Sequence, residues 1–131
     1  MVKRILILVV ISTLLMGTVV LADNESFSIY VSNNGGSNTN NDLNYKTDTY
    51  SAVVNPYTGP NAYIRFRVRD AARNYATGCY GTYMGTSGYP GKLYLSYLSG
   101  KNIPYANYYL YASINDYMEG VAGYVTGIWA P

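Results

Sequence analysis

Arg65, Arg67 and Arg69 alternate with Ile64, Phe66 and Val68 in the segment Ala62 to Arg69, so a strand there turns all three guanidinia to one face together with Tyr63. Alternate residues of a strand stand about 7 Å apart. Three guanidinium forks in a row clamp a polyanion bidentately, whether a teichoic acid, a sulfated glycan or a lipid headgroup. The competing reading is a solvated face whose Arg stems cover neighbouring Tyr rings while the charges meet acids across the sheet.

A second set of candidates is aromatic. In Tyr105 to Ile114 the inward residues are Ala106, Tyr108, Leu110, Ala112 and Ile114, which turns Tyr105, Tyr109 and Tyr111 outward. In Lys92 to Leu98, Leu93 and Leu95 point in and Tyr94 points out. If these two strands form a hairpin, Tyr94 comes near Tyr109 or Tyr111. Exposed rings with polar tips stack on sugar faces or on a partner protein, unless they serve only as cross-strand pairs that stabilise a thin sheet. The candidate binding set is thus Tyr63, Arg65, Arg67, Arg69, Tyr94, Tyr109 and Tyr111.

Catalytic chemistry is bounded by an absence, because the chain has no His. Ser-His-Asp and Cys-His triads are excluded, as is the usual nitrogen ligand of zinc or copper. Paired carboxylates remain available to a glycosidase. Asp116 and Glu119 are close in sequence, but they lie beside Asn115 and Gly120 in turn chemistry, where solvated carboxylates are the ordinary outcome. The Asn33 to Asn38 stretch is rich in Asn and Gly and has only Asp42 near it, so it lacks the carboxylate series of a calcium loop. No Gly-Lys-Ser/Thr follows to cradle a phosphate. The expectation is a protein without enzymatic activity, cofactor or metal.

The elements that must position these residues read as strands throughout. Glu25 to Ser32 alternates Phe27, Ile29 and Val31 with Ser26, Ser28 and Tyr30. Asn33 to Lys46 reads as loop. Further strands are expected at Thr47 to Val54, ended by Asn55-Pro56, and at Ala62 to Arg69, Tyr75 to Met84, Lys92 to Leu98, Tyr105 to Ile114 and Val121 to Trp129. Asp70 to Asn74 reads as a turn. No segment sustains a helical apolar period. About seven short strands with turn signals between them predict an all-β fold, an antiparallel sandwich or small barrel.

Ahead of these strands, Lys3 and Arg4 precede an apolar run from Ile5 that closes on Val20, Leu21 and Ala22, the pattern of a secretory signal peptide cleaved after Ala22. Ile5 to Leu21 also reaches the lower end of the roughly 17 to 25 residues of a membrane span, so an uncleaved anchor is the rival reading. Gly17 and Ala22 fit cleavage, Asp23 offers no thiol for lipidation, and no second apolar tail precedes Pro131. A released extracellular protein with no stable membrane anchor is expected, with residues 23–131 as a single β-domain.

Cleavage removes two bases, while all seven acids lie beyond residue 22, so the formal charge falls from +2 to zero. Such a chain has no long-range field to draw it to nucleic acid. Aliphatic residues are sparse in residues 23–131, so the 17 Tyr must supply part of the core. The single Cys79 rules out an internal disulfide and reads as a small buried residue in a strand. Trp129 reads as a core ring on the face of Val121 and Val125.

A leader, a Tyr-, Ser- and Asn-rich β segment and the ending Gly127-Ile128-Trp129-Ala130-Pro131 together resemble small secreted Tyr-rich proteins of Gram-positive bacteria. The resemblance implies an extracellular bacterial protein and transfers no functional residue. The expected role is a secreted binder of an anionic cell-wall polymer, a glycan or another extracellular protein. The alternatives are a bacteriocin-like antagonist and a structural coat or matrix protein with cross-linked Tyr. N-terminal sequencing of protein recovered from the medium should read Asp-Asn-Glu-Ser, whereas Met1 as the first residue in a membrane fraction would mean anchoring instead.

Overall fold

A computed structural model describes residues 24–32, 38–39, 43–85, 90–114 and 120–131. The expected signal peptide, most of the Asn/Gly-rich stretch with Asp42, and the Asp116 and Glu119 carboxylates lie outside the described residues. Among the described residues there are nine strands: β1 (Glu25–Ser32), β2 (Asn38–Thr39), β3 (Asn44–Lys46), β4 (Ala52–Thr58), β5 (Ala62–Asp70), β6 (Tyr80–Met84), β7 (Leu93–Leu95), β8 (Ala106–Ile114) and β9 (Ala122–Ala130). One sheet runs β1-β9-β4-β7. In the other, β2 and β3 pair with one side of β8, and β5 and then β6 follow on the opposite side. All pairs are antiparallel. The two sheets face each other as a β-sandwich.

The core is the inward half of each alternation. Phe27, Ile29 and Val31 of β1, with Val125 and Trp129 of β9, meet Ile64, Phe66 and Val68 of β5 and Leu110, Ala112 and Ile114 of β8. The rings of Phe27 and Phe66 touch edge to face across the two sheets, with centroids 6.1 Å apart. Trp129 is a core residue, and Val121 packs against the same cluster as expected.

Several elements depart from the sequence reading. The stretch read as loop contains β2 and β3, which pair with β8. Asn44 and Lys46 of β3 point into the sandwich, so the period of two is present there but is carried by polar side chains. The strand expected to end before Asn55-Pro56 runs through them to Thr58. Its partner β7 pairs only with Ala52, Val53 and Val54, so beyond Val54 that side of β4 is an edge, where a residue lacking an N–H is tolerated.

The strand expected over Tyr75 to Met84 is split. Tyr75 bridges Arg69, but Thr77 bridges Tyr97 and the Ala76 carbonyl accepts from Leu98 N–H, so this segment leaves β5 and ties the two sheets together before β6 begins. The Thr77 hydroxyl accepts the Val68 N–H at 2.9 Å, doing the work of a ladder carbonyl. Cys79 lies just past this crossing, outside any strand and exposed, which corrects the expectation of a buried thiol.

Two glycines of the sheets respond differently to an added methyl. At Gly127, opposite Pro56, a Cβ would meet the Asn55 carbonyl oxygen, the Pro56 Cα and the Phe27 ring. At Gly81 it would meet only the outer end of the exposed Tyr63 ring, which is free to swing away. Gly127→Ala should therefore cost about 3 kcal/mol in urea unfolding and Gly81→Ala less than about 1 kcal/mol. Equal costs would show that the approach of β4 to β9 is not as tight as this backbone requires.

Candidate functional site

Register brings arginines and tyrosines together on the outer face of the β8-β5-β6 sheet. On the β8 side, Arg65 lies opposite Ser113, Arg67 opposite Tyr111 and Arg69 opposite Tyr109. On the other side, Arg65 lies opposite Gly81, Tyr63 opposite Tyr83, and Arg69 bridges Tyr75. Directly opposed side chains in an antiparallel pair are close enough to interact. The result is a field of cations interleaved with rings.

The guanidinia rest on those rings. Arg67 lies 4.3 Å and Arg69 4.9 Å from the Tyr75 centroid, Arg69 lies 4.4 Å from that of Tyr111, and Arg73 lies 4.6 Å from that of Tyr109. All are inside the ~6 Å reach of a cation–π contact. Tyr75 and Tyr111 meet edge to face at 6.0 Å, so the rings form a continuous support. Half of the bland reading is thereby correct: the arginines do cover tyrosines.

The other half is not met among the described residues. Their two ion pairs are Lys46–Asp48 and Lys101–Asp70, and neither includes an arginine. The Nε atoms of Arg65 and Arg69 are buried and reach no hydrogen-bond partner there. The nearest carboxylate along the chain, Asp70, is committed elsewhere. The Lys101 ammonium donates to its Oδ2 at 2.9 Å, and the Asn74 N–H donates to its Oδ1 at 2.9 Å.

A shallow cavity of about 150 Å³ opens on this face. Arg65, Arg67, Tyr75, Cys79, Tyr111 and Ser113 line it. The described residues contain no group of three or more His, Cys, Asp or Glu side chains placed to hold a metal ion.

Of the residues expected at a site, Tyr63, Arg65, Arg67, Arg69, Tyr109 and Tyr111 share this face. Tyr94 does not. Its strand β7 pairs with β4 in the opposite sheet, so the hairpin with β8 is not formed and Tyr94 stands exposed on the other side of the sandwich. Arg73, Tyr75, Cys79 and Ser113 belong to the face without having been expected there. Tyr75 carries the most weight among them, and its signal was the short turn Asp70 to Asn74, which folds the chain back so that Tyr75 returns beside Arg69.

That turn is built by Asp70. Its N–H donates to the Asn74 carbonyl at 2.9 Å, its carbonyl accepts from Arg73 N–H at 2.8 Å, and Arg73 adopts a left-handed φ of 65°. Among the described residues, the strands of the other sheet place no row of arginines on its outer face. It presents a Tyr30–Tyr124 pair at 5.3 Å and a hydroxyl contact of 2.6 Å between Thr58 and Thr126. Comparison with protein-family models, with curated proteins and with solved structures finds no match.

The Lys101 hydrogen bond holds the Asp70 carboxyl below its ordinary 3.8, opposed by partial desolvation and helped by the Asn74 N–H. Because folding depresses this pKa, its stabilisation is complete above 3.8 and is lost as the pH falls through the folded value. Asp70→Asn should lower the melting temperature at pH 7 by the equivalent of up to about 1 kcal/mol, and the gap to the native protein should close toward pH 2. A gap of equal size at both pH values would assign the effect to turn geometry rather than to charge.

Proposed function

We propose that this chain is a secreted, non-enzymatic binding protein that holds an anionic polymer of the cell envelope against the outer face of β8, β5 and β6. The observation that carries this reading is the row Arg65, Arg67 and Arg69, with Arg67 and Arg69 supported on Tyr75 and Tyr111 and all three ion-paired to no acid among the described residues. A guanidinium resting on a ring is pre-organised, so less rotamer freedom is lost when it meets an oxyanion. The row repeats about every 7 Å along the strand, a spacing on which successive charges of an extended polymer can be met in turn. The flanking Tyr63, Tyr83 and Tyr109 offer apolar surface to whatever joins the charges.

A structural matrix role is the second reading. It is favoured by the exposed Tyr30–Tyr124 pair, two phenols already in contact on the opposite face. The two readings make opposite demands on the arginines.

Replacing Arg65, Arg67 and Arg69 together by Gln should leave Ile64, Phe66 and Val68 packed, with stability changing by no more than about 1 kcal/mol. In a pull-down against teichoic acid, peptidoglycan and chitin, the native protein should be retained by the anionic polymer and released by salt, since exposed charges are screened over about 10 Å at 0.1 M. The triple variant should not be retained. Tyr109→Ala and Tyr111→Ala should weaken binding at every salt concentration if the rings also touch the polymer. A triple Gln variant that binds unchanged and melts far lower would make the arginine row a structural support.

A further inference from the structure

We infer that the cavity between Arg65, Arg67, Ser113, Tyr111, Tyr75 and Cys79 is a seat for one tetrahedral oxyanion, a phosphate or sulfate ester group. This rests on the reading of the face as an anion binder and gives it a definite ligand chemistry. The lining is cationic and holds no carboxylate: two guanidinia that only donate, with two phenols, a hydroxyl and a thiol that can donate to the same ligand. A neutral sugar or peptide would leave the two guanidinium charges unmatched. An oxyanion needs donors alone.

Size and access fit the same ligand. The cavity of about 150 Å³ admits a phosphate-sized group with part of its ester link and is too small for a whole sugar chain. The cavity is open to solvent on its outer side, so a group carried on a polymer can enter without the polymer's end being threaded.

One of the two forks is also held in place. Arg67 is fixed on the Tyr75 ring at 4.3 Å, and Arg65 stands one strand step away, opposite Ser113. Both arginines line the cavity, neither is ion-paired among the described residues, and the buried Arg65 Nε has no hydrogen-bond partner there. Planar carboxylates are satisfied by one fork. Two forks and a hydroxyl together suit a group with oxygens in three dimensions.

Cys79 supplies the readout, because it is exposed, it lines the cavity and it is the only thiol of the chain. Its alkylation by iodoacetamide, a neutral reagent, should be slowed at least about threefold and saturably by inorganic phosphate, and by sulfate, when chloride holds the ionic strength constant. Acetate should not slow it. The protection should vanish in an Arg65→Gln, Arg67→Gln variant. The native protein provides a second test that does not depend on the fold of that variant: it should broaden the phosphorus resonance of phosphate, and prior carbamidomethylation of Cys79 should abolish the broadening by filling the seat.

Equal alkylation rates in phosphate and chloride, equal protection by acetate, or broadening that survives alkylation would each overturn the seat. Protection by phosphate but not sulfate would narrow the ligand to phosphate esters. If the native protein is retained by the anionic polymer and phosphate gives no protection, the seat fails and the binding face stands. If phosphate protects and no anionic polymer is retained, the seat stands and the polymer reading fails.

Discussion

Phe27 and Phe66 meet edge to face across the sandwich, and the contact determines which side of two strands is which. A strand has a period of two, so burying Phe66 with Ile64 and Val68 forces Arg65, Arg67 and Arg69 to the outside. A slip of one residue would reverse every side chain of β5. Three guanidinia between the sheets would be desolvated without partners, an outcome far costlier than any loss of apolar contact. The register of β5 is therefore protected from both sides, by the rings that must be buried and by the charges that cannot be. The candidate site inherits its geometry from the core.

The same scarcity of aliphatic residues shapes the closed end of the sandwich. There the interior is filled by Lys46, Tyr97 and Tyr108 in place of Leu or Ile. The fully buried Lys46 ammonium donates to the Tyr50 carbonyl at 2.7 Å and to Asp48 at 3.0 Å, and it lies 4.7 Å from the Tyr97 ring. Tyr97 meets Tyr108 edge to face at 5.3 Å, and the Tyr108 hydroxyl donates to the Lys101 carbonyl at 2.6 Å while accepting the Ile103 N–H at 3.0 Å. Burial pushes the Tyr97 phenol well above its ordinary range, with Tyr108 and Asp48 adding to the effect, so it stays neutral beside the cation. A buried ammonium is tolerable only because a carboxylate, a carbonyl and a ring surround it. Asn44 adds a tie between the sheets through its donation to the Trp129 carbonyl at 3.3 Å.

The alternation of β1, β5 and β8 was legible because in each of them the apolar set falls on one side without interruption, and local pattern decides such strands. What was not legible depended on partners far along the chain. β3 is a strand because β8 lies beside it, and its inward residues Asn44 and Lys46 are tolerated by groups from β9 and from the segment after β3. Pro56 sits inside β4 because β7 is short. Cys79 is exposed because Ala76 and Thr77 cross toward Tyr97 and Leu98, a route that no local period reveals. The hairpin that would bring Tyr94 beside Tyr109 or Tyr111 is absent for the same reason: the outward direction of Tyr94 within β7 is local, but the choice between β4 and β8 as partner is a property of the whole sandwich. Within the site, the arginine row could be read from five residues, whereas the ring beneath it could not, since Tyr75 reaches Arg69 only after Asp70 has closed the turn.

Charge on this face acts at short range. Residues 23–131 are formally neutral, so the arginine row has no field from the rest of the chain behind it, and beyond about 10 Å at 0.1 M salt its own field is screened. Electrostatic steering therefore adds little to the encounter, and discrimination must come from contact. That makes the placement of the guanidinia more consequential than their number. Arginines free to sweep through solvent would lose much of their pairing energy to the entropy of being fixed. Here Tyr75, Tyr109 and Tyr111 hold three of the four arginines before any ligand arrives, and the turn at Asp70 holds Tyr75. A segment of balanced charge can in this way present a cationic face whose selectivity lies in geometry, and the abundance of tyrosine in residues 23–131, which are poor in aliphatics, supplies the rings that hold the face in place.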